Sequence, residues 1–203
     1  LTQPISPFQT IDSQKMTVNV WDAIHVLRVA ARITPTHSLS LLSDLVKNAR
    51  KRGVLEDIIG IIEQIGKVDP RSIMPLLERL AEMDETYRST MRVLSKISEL
   101  EPDVVLACIE KLFKNRENWF LTPYVASILG KIGTHSPDKV LPLLERLLLD
   151  GPHYGASSAM ETLVTIGKEC PSRVLSALRR IKQKKDSSLK YSLEWAFKEL
   201  EVD

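Results

Sequence analysis

The sequence predicts an all-α protein built as an α-solenoid, which is a stack of helix pairs. The first observation is composition: of 203 residues, 28 are leucine, while only 11 are Phe, Trp or Tyr and 19 are Gly or Pro. Leucine favours helices, whereas aromatic residues are enriched in strands and Gly and Pro in turns. The second observation is a short signature that recurs along the chain at a nearly constant interval.

This signature is an apolar residue, then a small residue, and then a proline four positions later. It occurs as Ala30-Ala31…Pro35, Ile65-Gly66…Pro70, Ile97-Ser98…Pro102, Ile132-Gly133…Pro137 and Ile166-Gly167…Pro171. The prolines are 35, 32, 35 and 34 residues apart. A constant period of this length is typical of repeat proteins, whose units bury their apolar faces against each other. We therefore expect five repeats of about 34 residues.

Each repeat is predicted to contain two helices. Apolar residues follow the prolines at helical spacing, as in Val140, Leu141, Leu143, Leu144, Leu147 and Leu148. The residues before three prolines, Thr34, Asp69 and Ser136, are typical N-caps, and proline suits the first helical position. Apolar residues also precede the small residues at helical spacing, as in Ile58, Ile62 and Ile65.

Small residues and internal prolines predict further details of these helices, namely their ends, close contacts and bends. The small residue that ends each first helix either allows a left-handed backbone or lets the next helix approach closely. Gly60 and Gly130, inside first helices, indicate close helix contacts. Pro75 and Pro142 lie five residues inside second helices, where proline removes a hydrogen bond. We expect a bend there, or a helix that starts two or three residues later.

The repeats organise the chain into one predicted domain. One further helix after the Pro171 helix brings the expected total to eleven, and the solenoid domain is predicted to cover residues 17–203. Residues 1–16 contain Pro4 and Pro7 and no helical stripe. We interpret them as a flexible leader or a remnant of cloning, unless the chain is cut from a longer protein.

The segment Leu129-Gly130-Lys131-Ile132-Gly133, followed by the helix from Pro137 to Leu147, closely resembles HEAT repeats, particularly the short variety of phycobilin-lyase-type proteins. The resemblance covers residues 18–203. It implies a right-handed α-α superhelix, an armadillo-type fold whose second helices line a concave surface that binds other macromolecules. The tetratricopeptide repeat has the same period, but its Trp and Gly-Tyr positions are missing here.

Composition limits the function classes. No stretch approaches the ~18 apolar residues of a membrane span, so no membrane partner is expected. The net charge of +2 gives no global signal for nucleic acid. Two cysteines, Cys108 and Cys170, do not form a disulfide framework, so we expect a reducing compartment and a cytoplasmic protein.

No catalytic motif is recognisable, and the sequence predicts no enzyme activity, cofactor or metal. The histidines, His25, His37, His135 and His153, lie at different repeat positions and are expected on the surface. Cys108 replaces a leucine on an apolar stripe and should be a small buried residue, whereas Cys170 lies in a connection and is either structural or reactive.

One dipeptide allows an enzymatic comparison. Trp21-Asp22 is superficially similar to residues that HEAT-like alkylpurine DNA glycosylases use in a concave groove. It lies in the first helix of the array rather than at its centre, and no second aromatic residue corresponds to that site. We therefore favour Trp21 as a packing residue at the end of the array.

Alignment of the repeats reveals a row of charged residues nine positions after each proline. Its members are Asp44, Arg79, Lys111, Arg146 and Arg180, and the preceding positions include the acids Glu78, Glu110 and Glu145. The favoured interpretation is a series of ion pairs between repeats, each contributing little. The alternative is a surface that binds an acidic partner, for which the four basic residues are the candidates.

A second aligned row lies seventeen positions after each proline. It contains Tyr87, Trp119 and Tyr154, with Arg52 and Ser188 in the outer repeats. Trp and Tyr are enriched at binding hot spots, so these three aromatic residues are also candidate partner contacts. The favoured interpretation is that they pack each turn against the next helix.

Charge is unevenly distributed, because two short segments carry a net charge of +9 and the rest carries −7. The candidate anion-binding residues in these segments are Lys47, Arg50, Lys51, Arg52, Arg179, Lys182, Lys184 and Lys185. Basic residues also complement helix C-termini, which is the other interpretation.

The function we expect is a non-enzymatic scaffold or adaptor that binds another protein through its concave helix face. The alternative is a module for nucleic-acid binding or DNA repair that uses the basic segments 47–52 and 179–190. A third possibility, an accessory or lyase-like HEAT protein, has the least support because the chemistry is missing.

Overall fold

A computed structural model of the chain describes residues 16–48, 52–83, 85–114, 120–151, 153–184 and 189–200. These residues contain eleven α-helices and no strand, which confirms the all-α class. The helices are α1 (Met16–Ile33), α2 (Pro35–Asn48), α3 (Arg52–Gly66), α4 (Pro70–Ala81), α5 (Tyr87–Ile97), α6 (Pro102–Leu112), α7 (Thr122–Gly133), α8 (Pro137–Asp150), α9 (His153–Glu169), α10 (Pro171–Lys184) and α11 (Lys190–Leu200). Apart from Met16, the proposed leader lies outside the described residues.

The chain divides into two compact units, Leu1–Ile73 and Met74–Asp203. In the first unit, α1 packs against both α2 and α3, and α2 packs against α3. Fully buried side chains such as Leu42, Ile58 and Ile62 form its core. The extent of a single domain over 17–203 stays a prediction.

The second unit is arranged in two layers. The odd-numbered helices α5, α7, α9 and α11 pack side by side in chain order, and α8 packs against α10 in the other layer. Helices that follow each other in the chain are also in contact. α5 packs on α6, and each helix from α7 to α10 packs on the next one. The core between the layers contains Leu94, Leu129, Leu144 and Leu178, all fully buried.

All five signature prolines begin a helix, as the sequence predicts. Asp69 caps α4, since the Ser72 amide donates a hydrogen bond to its Oδ1 at 3.3 Å. Ser136 occupies the N-cap position of α8 but makes no side-chain cap bond, so that expected bond is wrong. The Thr34 hydroxyl donates back to the Ala30 carbonyl at 3.4 Å, and capping of α2 by Thr34 stays a prediction. Pro75 and Pro142 lie inside helices that begin at Pro70 and Pro137, so the alternative of a later helix start is wrong. A bend at these prolines stays a prediction.

The small residues at helix ends allow close packing of the next helix. No residue among those described has a positive φ angle, so a left-handed exit is not their role. A Cβ added at Gly133 would lie 2.8 Å from Cγ1 of Ile166, and one at Gly167 would lie 2.7 Å from Cδ1 of Leu200. Gly60 contradicts the expectation of close contact, since an added Cβ would have no neighbour within 4 Å.

The glycine contacts are repeated along the second unit. Ile166 and Leu200 each lie 33 residues after the glycine that they contact, on the next odd-numbered helix. The same step of about one repeat separates the partners of polar contacts, such as Lys111 with Glu78 and Arg173 with Asp138. Consecutive helix pairs of this unit therefore meet through equivalent positions.

Candidate interaction surface

Four basic residues lie at equivalent positions on the exposed faces of the even-numbered helices. We name this set the basic ridge: Arg79 on α4, Lys111 on α6, Arg146 on α8 and Arg180 on α10. All four side chains are exposed, whereas residues one or two positions away on the same helices, such as Leu80, Leu112 and Leu147, are buried. The helical period thus places the ridge on the side opposite the core.

Two ridge residues form ion pairs with the preceding even-numbered helix. Lys111 Nζ bonds Glu78, and Arg180 bonds both carboxylate oxygens of Glu145, with Nε at 3.3 Å from Oε2. The acid of each pair stands one position before a ridge residue in the earlier repeat. The ion pairs between repeats that the sequence favours are therefore present at Lys111 and Arg180.

The partners in these pairs differ in exposure. The side chain of Lys111 is 65% exposed and that of Glu78 only 18%; the values for Arg180 and Glu145 are 50% and 14%. Cations therefore form the outer layer of the ridge and carboxylates the inner layer. Hydrogen bonding to Glu78 raises the pKa of Lys111, and hydrogen bonding to Glu145 raises that of Arg180. Both side chains keep their positive charge well above neutral pH.

Among the described residues, Arg146 forms no ion pair with an acid of the preceding repeat. Its Nη2 donates a hydrogen bond to the carbonyl of Phe113 at 3.2 Å, just beyond the C-terminal end of α6. A cation is favoured there, because the last carbonyls of a helix carry partial negative charge. This contact holds Arg146 between α6 and α8 without neutralising it.

A second row of ion pairs runs beside the ridge at the N-terminal ends of the even-numbered helices. We name it the flanking row: Lys139 Nζ lies 2.5 Å from Asp103 Oδ1, and Arg173 Nη1 lies 2.6 Å from Asp138 Oδ2. Here the acids are the more exposed partners, at 67% and 72% against 48% and 52% for the bases. Negative charge at a helix N-terminus is favourable. The two rows therefore present opposite outer charges.

The aromatic row is described at one position. The Tyr87 ring packs edge-to-face on Phe120 and Tyr124, with ring centroids 5.1 and 5.7 Å away. The Arg88 Nε donates to the Tyr87 hydroxyl at 3.1 Å. Tyr87 thus packs the start of α5 against the start of α7, as a staple would. Trp119 and the side chain of Tyr154 lie outside the described residues.

The candidate anion-binding residues fall in two different units. In the first, Lys47 pairs with Asp44 at 3.0 Å, and Arg50, Lys51 and the side chain of Arg52 lie outside the described residues. In the second, Arg179 and Lys184 are exposed, and the Lys182 Nζ lies 5.7 Å from the centroid of the Phe197 ring. Lys185 lies outside the described residues. Anion binding by either segment stays a prediction.

A groove of about 900 Å³ with mixed polar and apolar walls is lined by residues of α7, α9 and the α5–α6 connection, and the sequence did not indicate it. Its walls include Ser127, Gly130 and Thr134 on α7 and Ser158, Glu161 and Thr165 on α9. Thr162 joins the walls, since its hydroxyl lies 3.1 Å from the Ala126 carbonyl. The signal available in the sequence was the polar residues at aligned positions of two first helices, such as Lys131 and Thr165.

The histidine side chains that the structure describes lie at the surface. His25, His37 and His135 are exposed, and His135 Nδ1 lies 2.9 Å from the Thr134 hydroxyl. The His153 side chain lies outside the described residues. Within the described ranges, no group of three His, Cys, Asp or Glu side chains could hold a metal ion. Trp21 is half exposed and lies near Gly53 of α3.

The two thiols differ in burial, and this difference predicts their reactivity. Cys108 is 2% exposed, and burial raises its pKa to about 12. Cys170 is partly exposed, and burial also raises its pKa. Because the thiolate is the reactive form, iodoacetamide should label Cys170 in the folded protein, and Cys108 only after unfolding. Mass spectrometry of timed samples would measure this, and equal labelling rates in the folded state would contradict it.

No helix in the described part of the chain is both long and apolar enough to cross a bilayer. Comparison with models of known protein families finds no match, and comparison with curated proteins also finds none.

Proposed function

We propose that the chain is an α-solenoid of five HEAT-like helix pairs and a closing helix, and that it is a non-enzymatic scaffold for an acidic protein partner. The resemblance of its motifs to HEAT repeats supports the architecture. The equivalent contacts of Gly133 with Ile166 and of Gly167 with Leu200 support it as well. A stack of this kind offers a row of identical positions, one on each repeat, to a partner.

The observation that carries the function is the exposure of the basic ridge. In an ion pair with a purely structural role, the two side chains can be equally exposed. Here Lys111 and Arg180 are the exposed partners, and they cover Glu78 and Glu145. The outer surface of α4, α6, α8 and α10 therefore presents cations at consecutive positions. An acidic partner would meet positive charge there, and complementary charge increases association rate and specificity.

The test compares two variants with equal net charge. The ridge variant combines Lys111→Gln, Arg146→Gln and Arg180→Gln. The control variant combines Lys131→Gln, Lys139→Gln and Arg173→Gln, which removes three ion pairs with Glu99, Asp103 and Asp138 elsewhere on the second unit. Proteins cross-linked to the wild-type chain in cell extract should be recovered with the control variant. Their yield should fall about tenfold with the ridge variant, as expected when desolvated charged contacts are lost.

Circular dichroism should show the same helix content for both variants. The unfolding midpoint of the ridge variant should be the lower one, because it leaves the largely covered carboxylates of Glu78 and Glu145 without their partners. Equal recovery of the captured proteins by both variants would contradict the ridge as the binding surface. A duplex DNA that binds the wild-type chain, with affinity falling steeply as salt rises, would favour the nucleic-acid alternative.

A further inference from the structure

We propose that the basic ridge binds an extended acidic peptide segment whose carboxylate side chains stand three residues apart. This inference rests on the proposed function and specifies its partner. It depends on three observations: the spacing of the ridge cations, the hydrogen-bond donors that they retain, and the small residues that lie beside them.

The spacing follows from the packing of the even-numbered helices. α8 packs against α10, Arg146 joins α6 to α8, and Lys111 joins α4 to α6. Packed helices such as α8 and α10 lie roughly 8–10 Å apart, and we infer the same separation for the equivalent residues along the ridge. A peptide extended as a polyproline II helix advances roughly 3.1 Å per residue and has three residues per turn, so residues three apart lie on the same face. Every third residue of an extended peptide can therefore meet the next ridge cation.

The ridge cations retain donors for a ligand. Among the described residues, Arg146 bonds Phe113 through Nη2, and Arg180 bonds Glu145 through Nη2 and Nε. A guanidinium has five N–H donors and an ammonium has three, so each ridge residue has more donors than these bonds use. Charge-assisted bonds to carboxylates are the stronger class, and arginine donates two of them to one carboxylate in bidentate geometry.

Small residues form a track along one side of the ridge. One helical turn before each ridge cation stands an exposed small or rigid residue: Pro75, Ala107, Pro142 and Ser176. None of these side chains is long enough to cover the helix backbone beside the cations. The track also offers a reason for the two prolines inside helices. Pro75 and Pro142 each cost a backbone hydrogen bond, and neither residue belongs to the buried core.

The flanking row favours a peptide over a nucleic acid. Asp103 and Asp138 expose their carboxylates beside the ridge. A nucleic-acid strand carries a negative charge roughly every 3.4 Å along a duplex, so its phosphates would also approach these acids. A peptide with one carboxylate in three residues can place neutral or basic side chains there instead.

The test uses two labelled peptides of about 12 residues, the length that spans four repeats at three residues each. They have the same composition of Glu, Ser and Gly, but in one peptide the glutamates stand at every third position and in the other they are contiguous. Fluorescence anisotropy with the full chain should show about tenfold tighter binding of the spaced peptide. The ridge variant should lose this binding, and the control variant should keep it.

A second variant tests the track without changing charge. Ala107→Gln combined with Ser176→Gln places longer uncharged side chains beside Lys111 and Arg180, and glutamine is a good helix former. Binding of the spaced peptide should weaken about tenfold, while the unfolding midpoint stays unchanged. Unchanged peptide affinity in this variant would overturn the extended binding mode.

The remaining outcomes separate this inference from the proposed function. Equal affinity for both peptides, or displacement of the spaced peptide by duplex DNA at lower concentration, overturns the inference. If neither peptide binds but the ridge variant still loses the captured proteins, the inference is wrong and the scaffold proposal stands. If the ridge variant loses neither peptide nor proteins, both are wrong.

Discussion

Replacing Leu144 with alanine is expected to lower the free energy of unfolding by about 2–5 kcal/mol. Leu144 is fully buried on α8, the helix that packs against α7, α9 and α10. Truncation removes apolar contacts and leaves a cavity that three surrounding helices hold open, because close-packed interiors relax only in part. The loss should therefore spread to both neighbouring helix pairs rather than stay within α8.

The adjacent residue provides the control. Leu143→Ala makes the same chemical change on the same helix, but Leu143 is partly exposed and already has contact with water. It should cost less than about 1.5 kcal/mol. Urea unfolding followed by circular dichroism would measure the difference, and amide hydrogen exchange would show whether α7, α9 and α10 lose protection together. Equal costs for the two variants would contradict the assigned face of α8.

Much of the fold could be predicted because its signals are local. A proline at the first helical position and apolar residues at helical spacing do not depend on distant parts of the chain. The prolines at 35, 70, 102, 137 and 171 therefore mark helix starts correctly. The cap at Ser136 failed because a suitable residue type does not fix the side-chain geometry, which the neighbouring backbone decides.

The candidate surface was predictable only in part. Alignment of the repeats predicted both the basic ridge and the ion pairs between repeats, since both depend only on the position of a residue relative to the signature proline. It could not assign Arg146 to the Phe113 carbonyl, because the chemically obvious partner was Glu110, which stands at the position equivalent to Glu78 and Glu145. It also could not reveal that Glu78 is covered and Lys111 exposed. Exposure depends on the tilt of packed helices, which residue spacing does not fix.

Glycines show the same limit, because the sequence cannot separate a glycine that packs from one that does not. Gly130 and Gly155 both lie at the interface of α7 and α9. A Cβ at Gly130 would approach Cγ2 of Thr162 at 3.4 Å, an ordinary contact. A Cβ at Gly155 would lie 2.5 Å from Cγ2 and 2.7 Å from Cβ of Thr122. Only the second approach is impossible without movement.

Gly155→Ala is therefore expected to lower the free energy of unfolding by about 1–3 kcal/mol, as overpacking does. Thr122 is fully buried and β-branched, so its Cβ cannot move away without shifting α7 itself. The better helix propensity of alanine, worth up to about 1 kcal/mol, offsets only part of this strain.

Gly130→Ala is the matched control on the facing helix of the same interface. It gains the same propensity, and its methyl group meets only the end of the Thr162 side chain, so it should be neutral or stabilising by up to about 1 kcal/mol. Thermal unfolding of the two variants should consequently shift in opposite directions or differ clearly in size. A Gly155→Ala protein as stable as the wild type would show that α9 does not approach α7 this closely, and the side-by-side packing of the odd-numbered helices would need revision.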